Sequence, residues 1–143
     1  MSDWSDTFAE TAVIAEAERI VRDALYDDPI VGAPASIGVG SDSYPAVVTD
    51  VVRYKTGAKA GKVRKILVAQ VNYEPAAVTA RRETGGYGHD HTIDVTHPSV
   101  TVRDKRAYTR RDRFGGVRWV REGGGDYDRV ALGEARDYRD PHF

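Results

Sequence analysis

Apolar side chains recur at three- and four-residue steps only within the first 27 residues; from Ala46 onward they recur at every second position. A helical period that gives way to a strand period leaves no helix to cross between strands, so parallel βαβ architectures are disfavoured. The chain reads as α+β, with an N-terminal amphipathic helix followed by a small, mostly antiparallel β-barrel or sandwich, SH3-like or OB-like.

The helix is expected at about residues 6–27. Thr7 and Glu10 stand at capping-box spacing, and acidic residues crowd the first turns, where the helix dipole favours them. Phe8, Ala12, Val13, Ala15, Ala17, Ile20, Val21, Ala24 and Leu25 form a broad apolar stripe, and Asp27-Asp28-Pro29 ends it. The stripe makes this segment a structural cap on the core. Residues 29–45 hold Pro29, Gly32, Pro34, Gly38, Gly40 and Pro45 among small residues and read as a linker.

The β-domain is expected over residues 46–143, with everything in one domain. Ala46–Tyr54 and Val63–Tyr73 alternate as strands around the basic turn Lys55–Lys62, giving a long hairpin. Residues 74–91, with Arg81-Arg82 and Gly85-Gly86-Tyr87-Gly88, read as a long loop. Further strands are expected at Thr92–Val95, Val100–Arg111, Val117–Arg121 and Arg129–Gly133, with turns at Phe114-Gly115-Gly116 and Gly123-Gly124-Gly125.

Composition removes several classes of function. Without cysteine there are no disulfides, thiolate metal sites or cysteine nucleophiles. No apolar run approaches the roughly 20 residues of a membrane-spanning helix, and the acidic N-terminus is unlike a secretory signal. A cytoplasmic protein with no membrane partner is the simplest expectation. No serine lies in a Gly-x-Ser-x-Gly context, and neither Gly38–Asp42 nor Gly57–Lys62 meets the P-loop pattern. No catalytic residue and no cofactor are assigned, and an enzyme is the minority reading.

The net charge of −1 conceals an imbalance. Residues 1–50 carry two basic and ten acidic side chains, a net of −8, whereas residues 51–143 carry 19 basic and 12 acidic, a net of +7. Arg103, Lys105, Arg106, Arg110, Arg111, Arg113, Arg118 and Arg121 crowd one stretch, with Tyr108, Phe114 and Trp119 among them. On a strand Arg103 and Lys105 would share a face, with Arg106 and Arg110 on the other. Basic β-surfaces with interleaved aromatic rings hold single-stranded nucleic acid through phosphate contacts and base stacking. Arg103, Lys105, Tyr108, Arg110, Arg111, Trp119 and Arg121 are therefore the candidate ligand-binding residues, for nucleic acid or another phosphate-containing ligand. The plainer alternative is a solvated face partly neutralised by the acidic helix. Near-neutral total charge argues against indiscriminate nucleic-acid binding.

His89 and His91, two apart, with His97 six residues on, are weak metal candidates. A metal would need His97 or Asp94 as a third ligand, and the glycine-rich lead-in favours a polar loop.

Two stretches together carry a resemblance. One is Gly40-Ser-Asp42-Ser-Tyr44-Pro45-Ala-Val47-Val48-Thr-Asp-Val51. The other runs from Val102 through Tyr108-Thr109-Arg110-Arg111, Val117-Arg118-Trp119-Val120 and Arg129–Gly133 to Tyr138-Arg139-Asp140-Pro141-His142-Phe143. This order resembles an uncharacterised group of small bacteriophage and prophage proteins that end in Tyr-x-Asp-Pro-His/Ser-Phe. The resemblance spans about residues 38–143 and is most specific in the last seven residues. It implies a phage origin and a role in the cytoplasm of an infected host cell or in the virion; no activity carries over. Physically, Tyr138, Pro141 and Phe143 would dock as a latch, with Arg139 and Asp140 paired. The alternative to an anion-binding protein is a virion or host-protein-interaction protein. It would form homo-oligomers through its acidic helix and basic β-domain.

Overall fold

A computed structural model of the chain describes residues 4–82, 88–113, 115–125 and 127–140, without the side chains of residues 4–8 and Arg113. Helix α1 (Trp4–Asp27) is followed by nine strands: β1 (Pro34–Val39), β2 (Asp42–Arg53), β3 (Val63–Asn72), β4 (Val78–Arg82), β5 (His89–Ile93), β6 (Thr101–Arg113), β7 (Gly116–Arg121), β8 (Val130–Leu132) and β9 (Arg136–Arg139). Thr7 falls inside the helix rather than at its cap, and its side chain is not described.

All the strands belong to one curled antiparallel sheet, ordered β4-β5-β9-β2-β3-β6-β7, with β1 paired to both β2 and β8. The curl brings β7 round to the approach of β8, where Val120 and Arg129 form a single bridge. The α+β architecture and antiparallel pairing agree with the sequence pattern. Three strands, β1, β4 and β9, were not legible in it, and β5 only from Thr92. The segment read as a linker holds β1 and the start of β2, the loop at 74–91 holds β4 and part of β5, and the tail holds β9.

Strand β1 escapes notice because its inward residues, Ala35 and Ile37, stand among prolines, glycines and a serine. A turn at Gly40, with φ of +59° that a side chain would resist, folds β1 back onto β2. Pro45, which has no N–H to donate, sits where β2 passes from β9, paired at Ser43, to β3, paired from Ala46. The hairpin of β2 and β3 is as expected, with a register shift at Thr49.

The main core fills the concave side of the curl with Val48, Val63, Ile66, Val68, Tyr108, Trp119, Val130 and Leu132. A smaller cluster, Ala77, Ile93 and Ala135, lies under Tyr73, Val78, Val95 and Val100.

Helix α1 is not the cap that its stripe suggests. Among its described side chains only Leu25 and Tyr26 pack on the core, and residues 9–24 are exposed. The helix is held by its last turn. Trp119 Nε1 donates to the Tyr26 carbonyl at 2.9 Å, and the Tyr26 hydroxyl accepts from Leu132 N at 3.0 Å. The Arg110 side chain, 1% exposed, donates to the Asp27 carbonyl at 2.8 Å and to the Asp27 carboxylate. It also donates to the Val63 carbonyl and to both carboxylate oxygens of Asp112. A cation at the C-terminal end of a helix satisfies orphan carbonyls and meets the negative pole of the dipole. Asp28 pairs with Arg53 at 2.9 Å beside it. Among the described residues the acidic helix thus pairs with the β-domain only through Asp27 and Asp28; Glu16 and Asp23 pair with Arg19 within the helix.

Replacing Arg110 with Met should cost about 2–3 kcal/mol, because it strands the Asp27 carbonyl of the helix and the Val63 carbonyl of β3 and takes the guanidinium away from Asp112, leaving it Lys59. Urea unfolding should show a lower midpoint at unchanged slope. Arg110→Lys should recover less than half, since an ammonium lacks the planar fork.

Candidate functional site

Alternation along β6 decides what its arginines can do. From Lys105 to Arg113 the pairing with β7 and β3 is unbroken, so even-numbered residues point into the curl and odd-numbered ones away. Arg106, Tyr108 and Arg110 are on the inner side, as alternation requires, and there Tyr108 and Trp119 are 2% and 0% exposed. As candidates for stacking on bases, Tyr108 and Trp119 are corrected: both are core residues, and Arg110 is the anchor of α1. Each was singled out because a strand pattern does not say which face is wet.

The remaining candidates do not share one face. Arg103 and Asp104 together oppose the single residue Gln70, a bulge that takes Arg103 out of step with Lys105. Lys105 is exposed but paired with Asp50 at 2.9 Å. Arg121 lies opposite Tyr108, on that residue's side of the sheet, exposed at the rim. Arg111 is exposed on the outer side, directly opposite Arg118 on β7. The expected turn residue Phe114 and the side chain of Arg113 lie outside the described residues.

What the structure assembles instead is a row. Arg111 faces Arg118; Arg118 is two residues from Val120 on the same side, and Val120 bridges to Arg129. Three exposed guanidiniums therefore line one side of the sheet across β6, β7 and the approach to β8. None has a carboxylate partner among the described residues. Like charges directly opposite on a sheet cost stability. Arg118 and Arg129 also line a cleft of about 390 Å³ with Ser36, Ser43 and Tyr127. Tyr127 is 94% exposed, an aromatic face in the same cleft as the two arginines. Sequence reading missed Arg129 and Tyr127, since the charge count closed at Arg121 and the glycine run before Tyr127 looked like a plain turn.

A second cluster occupies β5 and β9. His89 and His91 share a face of β5, as their spacing predicts, and their rings stack at 4.7 Å between centroids. They lie over Asp137, which accepts from the Tyr73 hydroxyl at 2.5 Å and from Arg139 Nε at 3.0 Å. His89 Nε2 is 3.0 Å from the same carboxylate but makes no aligned hydrogen bond. The opposite face of the ribbon holds Asp90, clasped by Arg136 at 2.8 and 2.7 Å and approached by Arg82.

Burial alone would raise the Asp137 carboxyl, but Tyr73, His89 and Arg139 outweigh it and hold it below the usual carboxylate range. Arg136 does the same for Asp90. Burial, then the neighbouring His89 and Arg81, pushes His91 below the ordinary imidazole value, and burial with the Asp137 bond raises the Tyr73 hydroxyl. The latch reading is met in part, as Tyr138 pairs opposite both Ser43 and Asp90. Arg139 pairs with Asp137, two residues back. Pro141, His142 and Phe143, like Gly85, Gly86 and Tyr87, lie outside the described residues.

His97 does not join the other histidines: its Nδ1 lies 2.8 Å from Ser99 Oγ, closing a turn. Among the described residues no group of three or more histidines and carboxylates is placed to hold a metal ion. No helix among them is long and apolar enough to cross a membrane. No family model matches the chain, and neither does any curated protein or solved structure.

Since the folded Asp137 carboxyl is more acidic than in the unfolded chain, its contribution is complete above about pH 4 and is lost as pH falls through the folded value. Asp137→Asn should cost about 1–3 kcal/mol at pH 7. Unfolding midpoints of the two proteins should converge as pH is lowered toward 3, and a gap that stays constant with pH would contradict this assignment.

Proposed function

We propose that this is a small non-enzymatic binding protein that holds a phosphate-bearing partner, nucleic acid or nucleotide, on the row Arg111, Arg118 and Arg129. The observation that supports this reading most directly is the cross-strand pair Arg111–Arg118, exposed and without a carboxylate partner among the described residues. Two guanidiniums set opposite each other repel in the free protein, and a bound phosphate removes that repulsion while filling planar donor forks. Tyr127 takes the stacking role that buried Tyr108 and Trp119 are not positioned to take. We read the curled sheet as an OB-like or SH3-like barrel, architectures suited to a basic, aromatic face. The resemblance to phage proteins would imply that this activity belongs to the cytoplasm of an infected cell or to the virion.

The reading is tested with a short oligothymidylate and a nucleotide panel at low salt. Binding should weaken steeply with salt. Arg111→Ala combined with Arg118→Ala should lower affinity at least about tenfold and flatten the log–log salt slope by about 1.4, the loss of two phosphate contacts on a single strand. Folding should be unimpaired, and stability should rise by a few tenths of a kcal/mol as the like-charge pair is removed, an effect of about the size seen for opposed charges on sheets. Absence of binding to single-stranded DNA, RNA and nucleotides at low salt would sink the proposal.

A further inference from the structure

The apolar stripe of α1 is left uncovered by its own sheet. Leu25 and Tyr26 point the helix at the core, and the stripe of Val13, Ile14, Ala17, Ile20, Val21 and Ala24 lies N-terminal to them, with Ile14 and Val21 on the same side of the helix as Leu25. Val13, Ile14, Ile20 and Val21 are each more than half exposed. The helix, 24 residues and thus roughly 36 Å long, is held to its sheet by the last turn and carries this stripe into solvent. Helices in water draw most of their stability from packing an apolar face, which this chain leaves open.

Beside the stripe runs an open apolar groove of about 950 Å³ between α1 and the sheet. Ala17, Val21 and Leu25 form one wall, and Ile30, Val31 and Leu132 form the other. Ile30 and Val31 are themselves large apolar side chains left more than half exposed. No residue of the arginine row lines it.

We propose that α1 is the interface of a two-fold homodimer in which the helices of two copies pack antiparallel, each N-terminal half lying in the groove between the other copy's helix and sheet. The stripe is self-complementary: Ile14, Ala17, Val21 and Ala24 follow the three–four spacing of a helix-packing seam. Antiparallel pairing about residue 19 sets Ile14 against Ala24 of the second copy and Ala17 against its Val21. Small residues then receive large ones. The same register brings Val13 and Ile14 over the second copy's groove, so that side chains more than half exposed in the single chain gain a floor.

Charge supports this register. Glu18 and Arg22, on the groove side of the helix, form no ion pair within the chain among the described residues. Antiparallel pairing about residue 19 sets Arg22 of the second copy level with Glu16 and about 3 Å along the axis from Glu18, within reach of that side chain, and two-fold symmetry makes the contact twice. On the other flank Arg19 already neutralises Glu16 and Asp23.

Sedimentation equilibrium of the full chain should show a concentration-dependent dimer at about 10 μM. Ile14→Glu combined with Val21→Glu, both on exposed positions, should weaken association at least about 100-fold. Glu18→Arg and Arg22→Glu should each weaken it about tenfold, and the two together should restore it. With no native cysteine, I14C chains mixed with A24C chains should form a disulfide with each other. Preferential I14C–I14C cross-linking would mean a parallel pair and overturn the register. A wild-type chain still monomeric at about 100 μM, or an I14E/V21E variant as dimeric as the wild type, would overturn the interface.

Discussion

A single buried guanidinium connects the two parts of this molecule. Arg110 sits on the inner face of β6 with its charge spread over the last helix carbonyl, the Asp27 carboxylate, the Val63 carbonyl and Asp112. Its partners come from α1, β3 and β6, so it fixes where the helix ends and how the sheet curls beneath that end. The Trp119 ring, 5.9 Å from the guanidinium, closes the same corner and donates to the neighbouring carbonyl. A buried cation is costly unless its donors are met, and here they are met by groups that would themselves be unpaired at a helix terminus.

That anchor also sorts the charges of β6. Arg110 faces inward and Arg111, its neighbour, faces outward, because successive residues on a strand project to opposite sides. One arginine does structural work and the next is left without a carboxylate partner among the described residues. The same division recurs in the ribbon of β5 and β9. Asp90 and Asp137 take opposite faces there, each carboxylate held by its own arginine. A ribbon polar on both faces cannot be stabilised by burying one of them, and its cohesion rests on these charge clusters.

Much of the architecture is visible in the residues alone, because hydrophobic period is a strong signal over long segments. The helix, the β2–β3 hairpin and the strands β6 and β7 follow from it. The missing strands share a cause. Strand β1 is built from Ala35 and Ile37 between small residues, and β5 is built from His89 to Ile93, whose polar residues are held by cross-strand charge rather than by burial. Faces were harder than elements. Tyr108 and Trp119 have the composition of a binding surface and the position of a core, and only the direction of curl distinguishes them. Asp137 gave no sign of its role, since its partners Tyr73 and His89 are 64 and 48 positions away.

The position of β9 has a consequence for the order of events during synthesis. The hairpin of β4 and β5 reaches the rest of the sheet only through β9, which stands between β5 and β2. A chain emerging from the ribosome can pair β1 with β2 and β2 with β3 from neighbours close in sequence, and β6 can join β3 before β9 has appeared. The β4–β5 hairpin must wait, its histidines and Asp90 solvated, until residues 136–139 have appeared some 45 positions later. Docking of this arm therefore cannot precede the appearance of β9, and the Asp137 cluster exists only in molecules in which it has docked.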